Sequence, residues 1–385
     1  MMNLKDYYRK KNNFFTIRLT ILIGFITGIF ILNFFLEQKN SKIKFDELAL
    51  TDSNNKFIEI ENGKDVHCSD LSDLNKCLDS YKNTGEKKPV ILWLGNSQLH
   101  VINEQQPGDE FSSSILHRKL YKLKKYALTF SQPNANLQEH YLLFAYLLNK
   151  FPVETLVLPV FFDDMREEVI RQNIKIILEK PQTMKIIKNS FTAKNLISIK
   201  NKKNFFHSQS DKEKKNFQNN FENFLNRKLA DIWPVWNERE YLRRKFLSSL
   251  YFLRNTIFNI KPTTTRKMIK GNYLKNIKAY EDILNLAQIS GVDVLVYIPP
   301  IRNDVKIPYL LSEYFNFKKE IQKIAYKYES NFTSLESIIP PESWGYKAST
   351  NLKKAKELDF MHFKDKGHKL IAEALYIEIK NVLKK

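Results

Sequence analysis

The chain has 385 residues, and its 43% apolar content is enough for a sizeable core, which excludes wholesale disorder. Its formal net charge of +20 would suit nucleic acid, an anionic membrane surface or an anionic polymer. The abundance of Lys, Asn, Ile and Phe gives a plainer origin for that charge, a lysine-rich proteome. Because the chain also carries no zinc-finger or helix-turn-helix signature, no nucleic-acid partner is expected.

The amino-terminal segment contains an uncharged apolar run of 18 residues, from Leu19 to Leu36. A helix of that length is about enough to span a bilayer. More Lys and Arg residues precede the run than follow it, which favours a cytoplasmic segment 1–18, a transmembrane anchor at 19–36 and an exported large domain. A cleaved signal peptide is the alternative, but the run ends without the small residues of a cleavage site.

Residues 37–88 are polar, and we expect a stalk followed by a small subregion that carries both cysteines. Cys68 and Cys77 form no CxxC pair, so no metal site is expected, and no cofactor is expected either. In an oxidising compartment these two thiols are candidates for a disulfide. Of the histidines, we expect His100 near the functional site, His140 in the core and His368 on the solvent face of the last helix.

Short apolar runs that end in turn-forming residues predict buried strands. They lie at Val90–Gly95, Tyr126–Phe130, Thr155–Phe162 and Val292–Ile298, with a further short strand near Asn331–Leu335. Helical spacing of apolar residues predicts helices at about Asp109–Leu123, Leu137–Lys150 and Asp365–Val382. Continuous apolar strands that alternate with helices indicate an α/β fold, in which a parallel sheet is covered on both faces.

Residues 165–288 are too long for a simple crossover between two strands, and they are mostly helical in pattern, basic and rich in aromatics. We expect a helical subdomain inserted over one edge of the sheet. Its aromatic residues fit a plain core beneath a solvated lysine face. A docking surface for a membrane or a partner is the alternative.

Two local patterns carry the chemistry. Ser97 follows the first apolar strand in the turn Gly95-Asn96-Ser97-Gln98, at the strand end where open α/β sheets bind ligands. Asp359 precedes His362 by three residues, on an expected loop before the last helix. Together they would supply the nucleophile, the base and the orienting carboxylate of a serine hydrolase. Taken singly, each has a structural interpretation, as a turn, a helix cap or a buried histidine.

These two patterns resemble the first and last sequence blocks of the SGNH/GDSL esterase-acyltransferase superfamily. The resemblance covers about residues 89–385 and implies a flavodoxin-like three-layer parallel sheet with a catalytic Ser97, His362 and Asp359. With the expected anchor, the chain looks like the membrane-anchored proteins of teichoic-acid D-alanylation and exopolysaccharide O-acetylation. That likeness implies the bacterial cytoplasmic membrane, an envelope glycan or polymer as substrate, and a membrane-embedded acyl-transfer partner.

The chain departs from the family where the oxyanion hole should be completed. The family uses a glycine after the second strand and an asparagine after the third, and neither is present here. Four other residues are candidate oxyanion or substrate-binding donors: Asn134, Asn136, Arg166 and Arg302. The carboxylates of Asp163 and Asp164, after the third strand, would oppose an oxyanion unless they are neutralised.

Two functions remain open from the sequence. The first is a membrane-anchored serine esterase or O-acyltransferase that modifies an envelope polymer through an acyl-serine intermediate. The second is a non-catalytic binding or assembly component of a polysaccharide-modification machine, which the altered middle blocks favour. The sequence does not distinguish hydrolysis from transfer, because both pass through the same intermediate.

Overall fold

The computed structural model describes residues 57–69, 71–85, 88–206, 239–352 and 356–384, together with positions 23, 24, 27 and 28. Its strands are β1 (Ile58–Glu61), β2 (Lys64–Cys68), β3 (Val90–Gly95), β4 (Tyr126–Ser131), β5 (Val153–Pro159), β6 (Asp293–Ile298), β7 (Asn331–Ser334), β8 (Trp344–Lys347) and β9 (Glu357–Phe363). Its helices are α1 (Leu74–Lys82), α2 (Ser112–Tyr121), α3 (Leu137–Leu148), α4 (Gln172–Lys175), α5 (Pro181–Ile187), α6 (Phe191–Phe206), α7 (Arg239–Ile257), α8 (Lys270–Ile289), α9 (Leu311–Lys327) and α10 (Asp365–Val382).

The chain divides into two compact units, one made of residues 1–44 and 204–250 and the other of residues 45–203 and 251–385. The second unit contains a seven-stranded sheet in the order β1-β2-β4-β3-β5-β6-β7. The pair β1–β2 is antiparallel, and every other pair of neighbouring strands in this sheet is parallel. The five neighbouring strands β4-β3-β5-β6-β7 have the flavodoxin-like order 2-1-3-4-5, numbered by their sequence. This order places the switch point at β3.

Alternate residues of β3 enter two separate cores, because successive side chains of a strand point to opposite faces. Val90, Leu92 and Leu94 face a core built with α1, α3, α8 and α9. Ile91 and Trp93 face the other core, built with α2 and α10. Every residue of β3 is buried, which explains why the strand is continuously apolar in sequence.

The sheet begins earlier than the sequence indicates. The cysteine-bearing segment is not separate from the sheet: β2 pairs in parallel with β4, and β1 adds an antiparallel edge strand. Cys68 on β2 and Cys77 on α1 form a disulfide, with their Cα atoms 6.6 Å apart. Polar residues interrupt both β1 and β2, so these strands lack the continuous apolar run that marks β3.

The expected helical insertion at 165–288 is also partly integrated into the sheet unit. Ile174, Ile187 and Ala193, from α4, α5 and α6, belong to the core formed with α3, and α8 packs against α3 before the chain enters β6. These helices therefore cover a face of the sheet and do not form a subdomain at its edge. Residues 207–238 lie outside the described residues.

The membrane-spanning helix is a prediction that the structure contradicts. Among the described residues, no helix combines the length and the apolar character needed to cross a membrane. The prediction of an anchor at 19–36 is therefore wrong. The single-pass placement in a bacterial cytoplasmic membrane depended on that anchor and is wrong with it. Segments 1–18 and 37–56, and all but four positions of the apolar run, lie outside the described residues.

Candidate active site

The turn that carries Ser97 is shaped by close packing directly after β3. A Cβ built on Gly95 would stand 2.3 Å from the buried Leu99 side chain, so a larger residue here would force that side chain to move. The Asn96 side chain accepts a hydrogen bond from the Gln98 backbone N–H at 3.0 Å and starts a short 3-10 helix over Ser97–Leu99. Ser97 is only partly buried, so its hydroxyl lies within reach of a ligand at the carboxyl end of the sheet.

Asp359 and His362 lie on β9, a strand of the antiparallel ribbon β8–β9, and not on the expected loop. The Asp359 Oδ1 atom accepts the backbone N–H groups of Met361 at 2.9 Å and of His362 at 3.0 Å. Its Oδ2 atom is 2.9 Å from His362 Nδ1. The spacing of three residues thus lets one carboxylate bind both the backbone and the ring of the same histidine.

The base and the hydroxyl meet across 265 positions of sequence, with His362 Nε2 2.9 Å from Ser97 Oγ. Gln98, next to the serine, holds this contact in place. Its Nε2 donates to the carbonyl oxygens of Pro300 at 2.9 Å and Met361 at 2.8 Å. Gln98 thereby joins the serine turn, the loop after β6 and the middle of the Asp–His segment, because one amide donates to both carbonyls.

The charge on Asp359 defines which tautomer His362 adopts. Burial alone would raise the pKa of Asp359, but the His362 ring and the two backbone N–H groups outweigh it and hold the pKa below its usual range. The carboxylate stays ionised and can only accept, so His362 must carry its proton on Nδ1. His362 Nε2 then presents a lone pair to the Ser97 hydroxyl, which is the orientation a general base requires.

The carboxyl groups after β5 are neutralised by their neighbours. Asp163 pairs with Arg266 and, at 3.3 Å, with Arg166, and it accepts the Tyr309 hydroxyl at 3.0 Å. Asp164 is buried and accepts a hydrogen bond from Asn96 Nδ2 at 3.0 Å. Burial raises the pKa of Asp164 well above its usual value, which favours the uncharged acid. Neither carboxyl group therefore places an unbalanced negative charge where it would repel an oxyanion.

Three of the four candidate oxyanion donors use their side chains elsewhere. Arg166 donates to the Lys267 carbonyl and to Asp163, and Arg302 donates to Asp304 and to the Gly345 carbonyl. Asn136 caps α3: its Oδ1 accepts from Glu139 N at 3.1 Å, and its Nδ2 donates to the Val169 carbonyl at 3.0 Å. The structure gives these side chains scaffold contacts and does not bring them together with Ser97.

Asn134 is different, because its backbone has the shape that usually requires glycine. Its φ angle is +51°, in the left-handed region that asparagine tolerates better than most residues. Within the described residues, neither the Asn134 N–H nor the Ser97 N–H has a hydrogen-bond partner. Arg171 holds the loop by donating to the Pro133 carbonyl and pairing with Glu139. The chain thus has a glycine-like backbone conformation without a glycine.

Two further residues have contacts that the sequence does not predict. Asn103 Nδ2 donates to Asp359 Oδ2 at 3.1 Å, and its own backbone N–H donates to the Phe363 carbonyl at 2.9 Å. His368 is fully buried rather than solvent-facing; it bonds the Val101 carbonyl at 3.2 Å and Ser112 at 3.2 Å. No motif marks either residue, because their partners lie far away in sequence. Within the described ranges, no group of three or more His, Cys, Asp or Glu side chains could hold a metal ion.

Comparison with known proteins adds little to this geometry. No protein-family model and no curated protein matches the chain. Among solved structures, matches include a crystallised protein from Parabacteroides merdae ATCC 43184 described as a "GDSL-like lipase". It is 10% identical, with 77% of this chain and 97% of that chain covered and a TM-score of 0.36. A likeness at that level establishes neither a shared fold nor a shared activity.

Proposed function

We propose that the chain is a serine esterase or O-acyltransferase of the SGNH/GDSL type, which works through an acyl ester on Ser97. The observation that carries the proposal is the continuous hydrogen-bond chain from Ser97 Oγ through the His362 ring to Asp359, with distances of 2.9 Å and 2.9 Å. A partly exposed serine, a correctly oriented imidazole and a buried ionised carboxylate are what acyl transfer through a serine requires.

The first half-reaction forms the acyl-enzyme. His362 Nε2 takes the hydroxyl proton as Ser97 Oγ attacks the ester carbonyl carbon, and Asp359 stabilises the resulting imidazolium. The carbonyl oxygen becomes an oxyanion, and we propose that it accepts the N–H groups of Ser97 and Asn134, neither of which has a partner among the described residues. The intermediate collapses when the bond to the leaving oxygen breaks and His362 gives its proton to that oxygen.

The second half-reaction returns the enzyme to its starting state. His362 takes a proton from an acceptor hydroxyl, whose oxygen attacks the acyl carbonyl, and then protonates Ser97 Oγ as the acyl ester breaks. With water as acceptor the reaction is hydrolysis, and with a sugar hydroxyl it is O-acyl transfer. A hydroxyl of a cell-envelope glycan or polymer is the acceptor we propose. The Cys68–Cys77 disulfide supports it, because such bonds persist in oxidising surroundings.

Covalent labelling of the full-length protein with a fluorophosphonate tests the proposal. We expect one adduct, located by mass spectrometry on Ser97, and hydrolysis of p-nitrophenyl acetate that Ser97→Ala abolishes. Ser290→Ala, a change at an exposed serine after α8, serves as the matched control and should keep both labelling and hydrolysis.

A folded protein that is neither labelled nor active would refute the proposal. It would favour the non-catalytic alternative, a component that binds the polymer without turning it over. Labelling at another serine in the Ser97→Ala variant, with activity retained, would also count against Ser97 as the nucleophile.

A further inference from the structure

A buried chain of alternating histidine and serine side chains lies beside the candidate site. His67 Nδ1 is 2.9 Å from Ser113 Oγ, and His67 Nε2 is 2.6 Å from Ser131 Oγ. The same Ser131 Oγ is 2.6 Å from His100 Nδ1. The order of contacts is therefore Ser113, His67, Ser131, His100, and none of these side chains has a role in the mechanism described above.

The last member of this chain reaches the serine turn. His100 directly follows the 3-10 helix that begins at Ser97, and its backbone N–H donates to the Ser97 carbonyl at 3.2 Å. Its partner Ser131 ends β4 and lies opposite Gly95 in the sheet. The ring therefore lies at the end of β4, next to the Ser97 turn. Phe57 stacks on it, with ring centroids 5.6 Å apart.

Proton counting fixes the direction of the hydrogen bonds. A hydroxyl carries one proton and a neutral imidazole carries one N–H. Among the described residues, Ser113 Oγ has only His67 as a partner, so its buried proton is satisfied only by donation to His67 Nδ1. His67 then donates from Nε2 to Ser131, and Ser131 donates to His100 Nδ1. The opposite direction would leave the Ser113 proton without an acceptor.

This direction places the remaining proton of His100 on Nε2. That atom has no hydrogen-bond partner among the described residues, and His100 is only partly buried, unlike the other three members of the chain. Burial, followed by repulsion from His362, His368 and Arg171, lowers the pKa of His100 to about 3. The ring is therefore neutral at ordinary pH and offers one N–H that points away from Ser131.

We propose that His100 is a catalytic residue, whose Nε2–H donates to the oxyanion that forms when Ser97 attacks an acyl carbonyl. The inference rests on the proposed function. It assigns the side-chain donor that the site otherwise lacks, since Asn136, Arg166 and Arg302 are engaged elsewhere. Ser131, His67 and Ser113 are positioning residues, because they hold the ring and its proton without touching the reacting atoms.

Two substitutions in the full-length protein separate donation from packing. His100→Phe keeps an aromatic ring against Phe57 but has no donor, and kcat for p-nitrophenyl acetate should fall about 10²–10³-fold, with KM changed by less than about 3-fold. His100→Gln restores an N–H at a similar distance from the backbone and should recover at least about 10-fold of that loss. Wild-type kcat in His100→Phe, or equal losses in both variants, would overturn the inference.

The histidine protons can also be observed without activity. Long-range ¹H–¹⁵N correlation spectra of protein labelled with ¹⁵N-histidine should show His100 and His67 neutral and protonated on Nε2, with the His100 signals assigned by their loss in His100→Gln. Protonation of His100 on Nδ1 would overturn the inference. Failure of the proposed function gives a different result, an unlabelled Ser97 and an inactive wild-type protein, whereas failure of this inference leaves Ser97 labelled and active.

Discussion

Gly345 lies against the amide of Asn103, and this contact makes the effect of a single methyl group calculable. A Cβ built on Gly345 would stand 2.0 Å from Asn103 Oδ1 and 2.5 Å from its Cγ. Asn103 is buried, and its backbone is tied to the Phe363 carbonyl, so the amide can escape only by rotating. Rotation breaks the 3.1 Å hydrogen bond to Asp359.

A hydrogen bond to a charged group contributes about 1.5–3 kcal/mol. Replacing a glycine restricts the unfolded chain and offsets about 0.4–1 kcal/mol of that loss, because Gly345 has no positive φ that alanine would strain. Gly345→Ala should therefore lower the free energy of unfolding by about 0.5–2.6 kcal/mol, a fall of roughly 1–3 °C in Tm for a chain of 385 residues. It should also lower kcat, because the carboxylate of Asp359 loses a group that holds it against His362.

Urea unfolding of four proteins tests this reasoning as a double-mutant cycle: wild type, Gly345→Ala, Asn103→Ala and the double variant. In the Asn103→Ala background the added methyl group meets no amide. The double variant should therefore be about 0.4–1 kcal/mol more stable than Asn103→Ala, because only the effect of the methyl group on the unfolded chain remains. If the two losses add, the methyl group acts by another route and the reasoning is refuted.

Three further predictions concern the site and its scaffold. Asp359→Asn should lower kcat about 10⁴-fold, measured by steady-state kinetics, because the amide favours the wrong histidine tautomer. Burial lowers the pKa of His140 to about 3, so the folded state excludes a proton that the unfolded state binds below about pH 6.5. The contribution of His140 to stability is thus full above that pH and is lost as the pH falls. Between pH 6 and 4 the free energy of unfolding of His140→Leu should therefore fall less steeply than that of the wild type, and the two slopes should differ by about 1.4 kcal/mol per pH unit. Reduction of Cys68–Cys77, which are nine positions apart, should cost about 2–3 kcal/mol in urea unfolding, whereas the Cys68→Ser/Cys77→Ser variant, which has no thiols, should lose nothing on treatment with the reductant.

Local patterns in the sequence predicted the strands around the candidate site, although the strand predicted at Thr155–Phe162 ends three residues earlier, at Pro159. The turn after β3 follows from an apolar run broken by Gly95, and the Asp359–His362 pair needs only a spacing of three residues. Gln98 and Asn103 were not predictable, since their partners at Met361 and Asp359 are 263 and 256 positions away. Such contacts depend on the assembled sheet and leave no local periodicity.

Other differences have equally specific causes. β1 and β2 were missed because polar residues interrupt both strands, so neither has a continuous apolar run. His368 was placed in solvent, but the Val101 carbonyl and Ser112 satisfy its two ring nitrogens, so burial costs little. The sequence marked Asn134 only as a candidate hydrogen-bond donor. Its positive φ could not be predicted, although it lets the loop adopt a glycine-like conformation.

The ribbon that carries Asp359 and His362 has a consequence for the order in which the protein gains its activity. The carboxylate–imidazole contact spans three positions and belongs to a short antiparallel strand pair, whereas the imidazole–hydroxyl contact spans 265 positions. Contacts between distant segments carry the larger loop-closure cost and form late in folding. A partly folded chain can thus hold its acid–base pair without a nucleophile in reach. Recovery of esterase activity during refolding should accordingly follow completion of the parallel sheet, and not the first appearance of secondary structure.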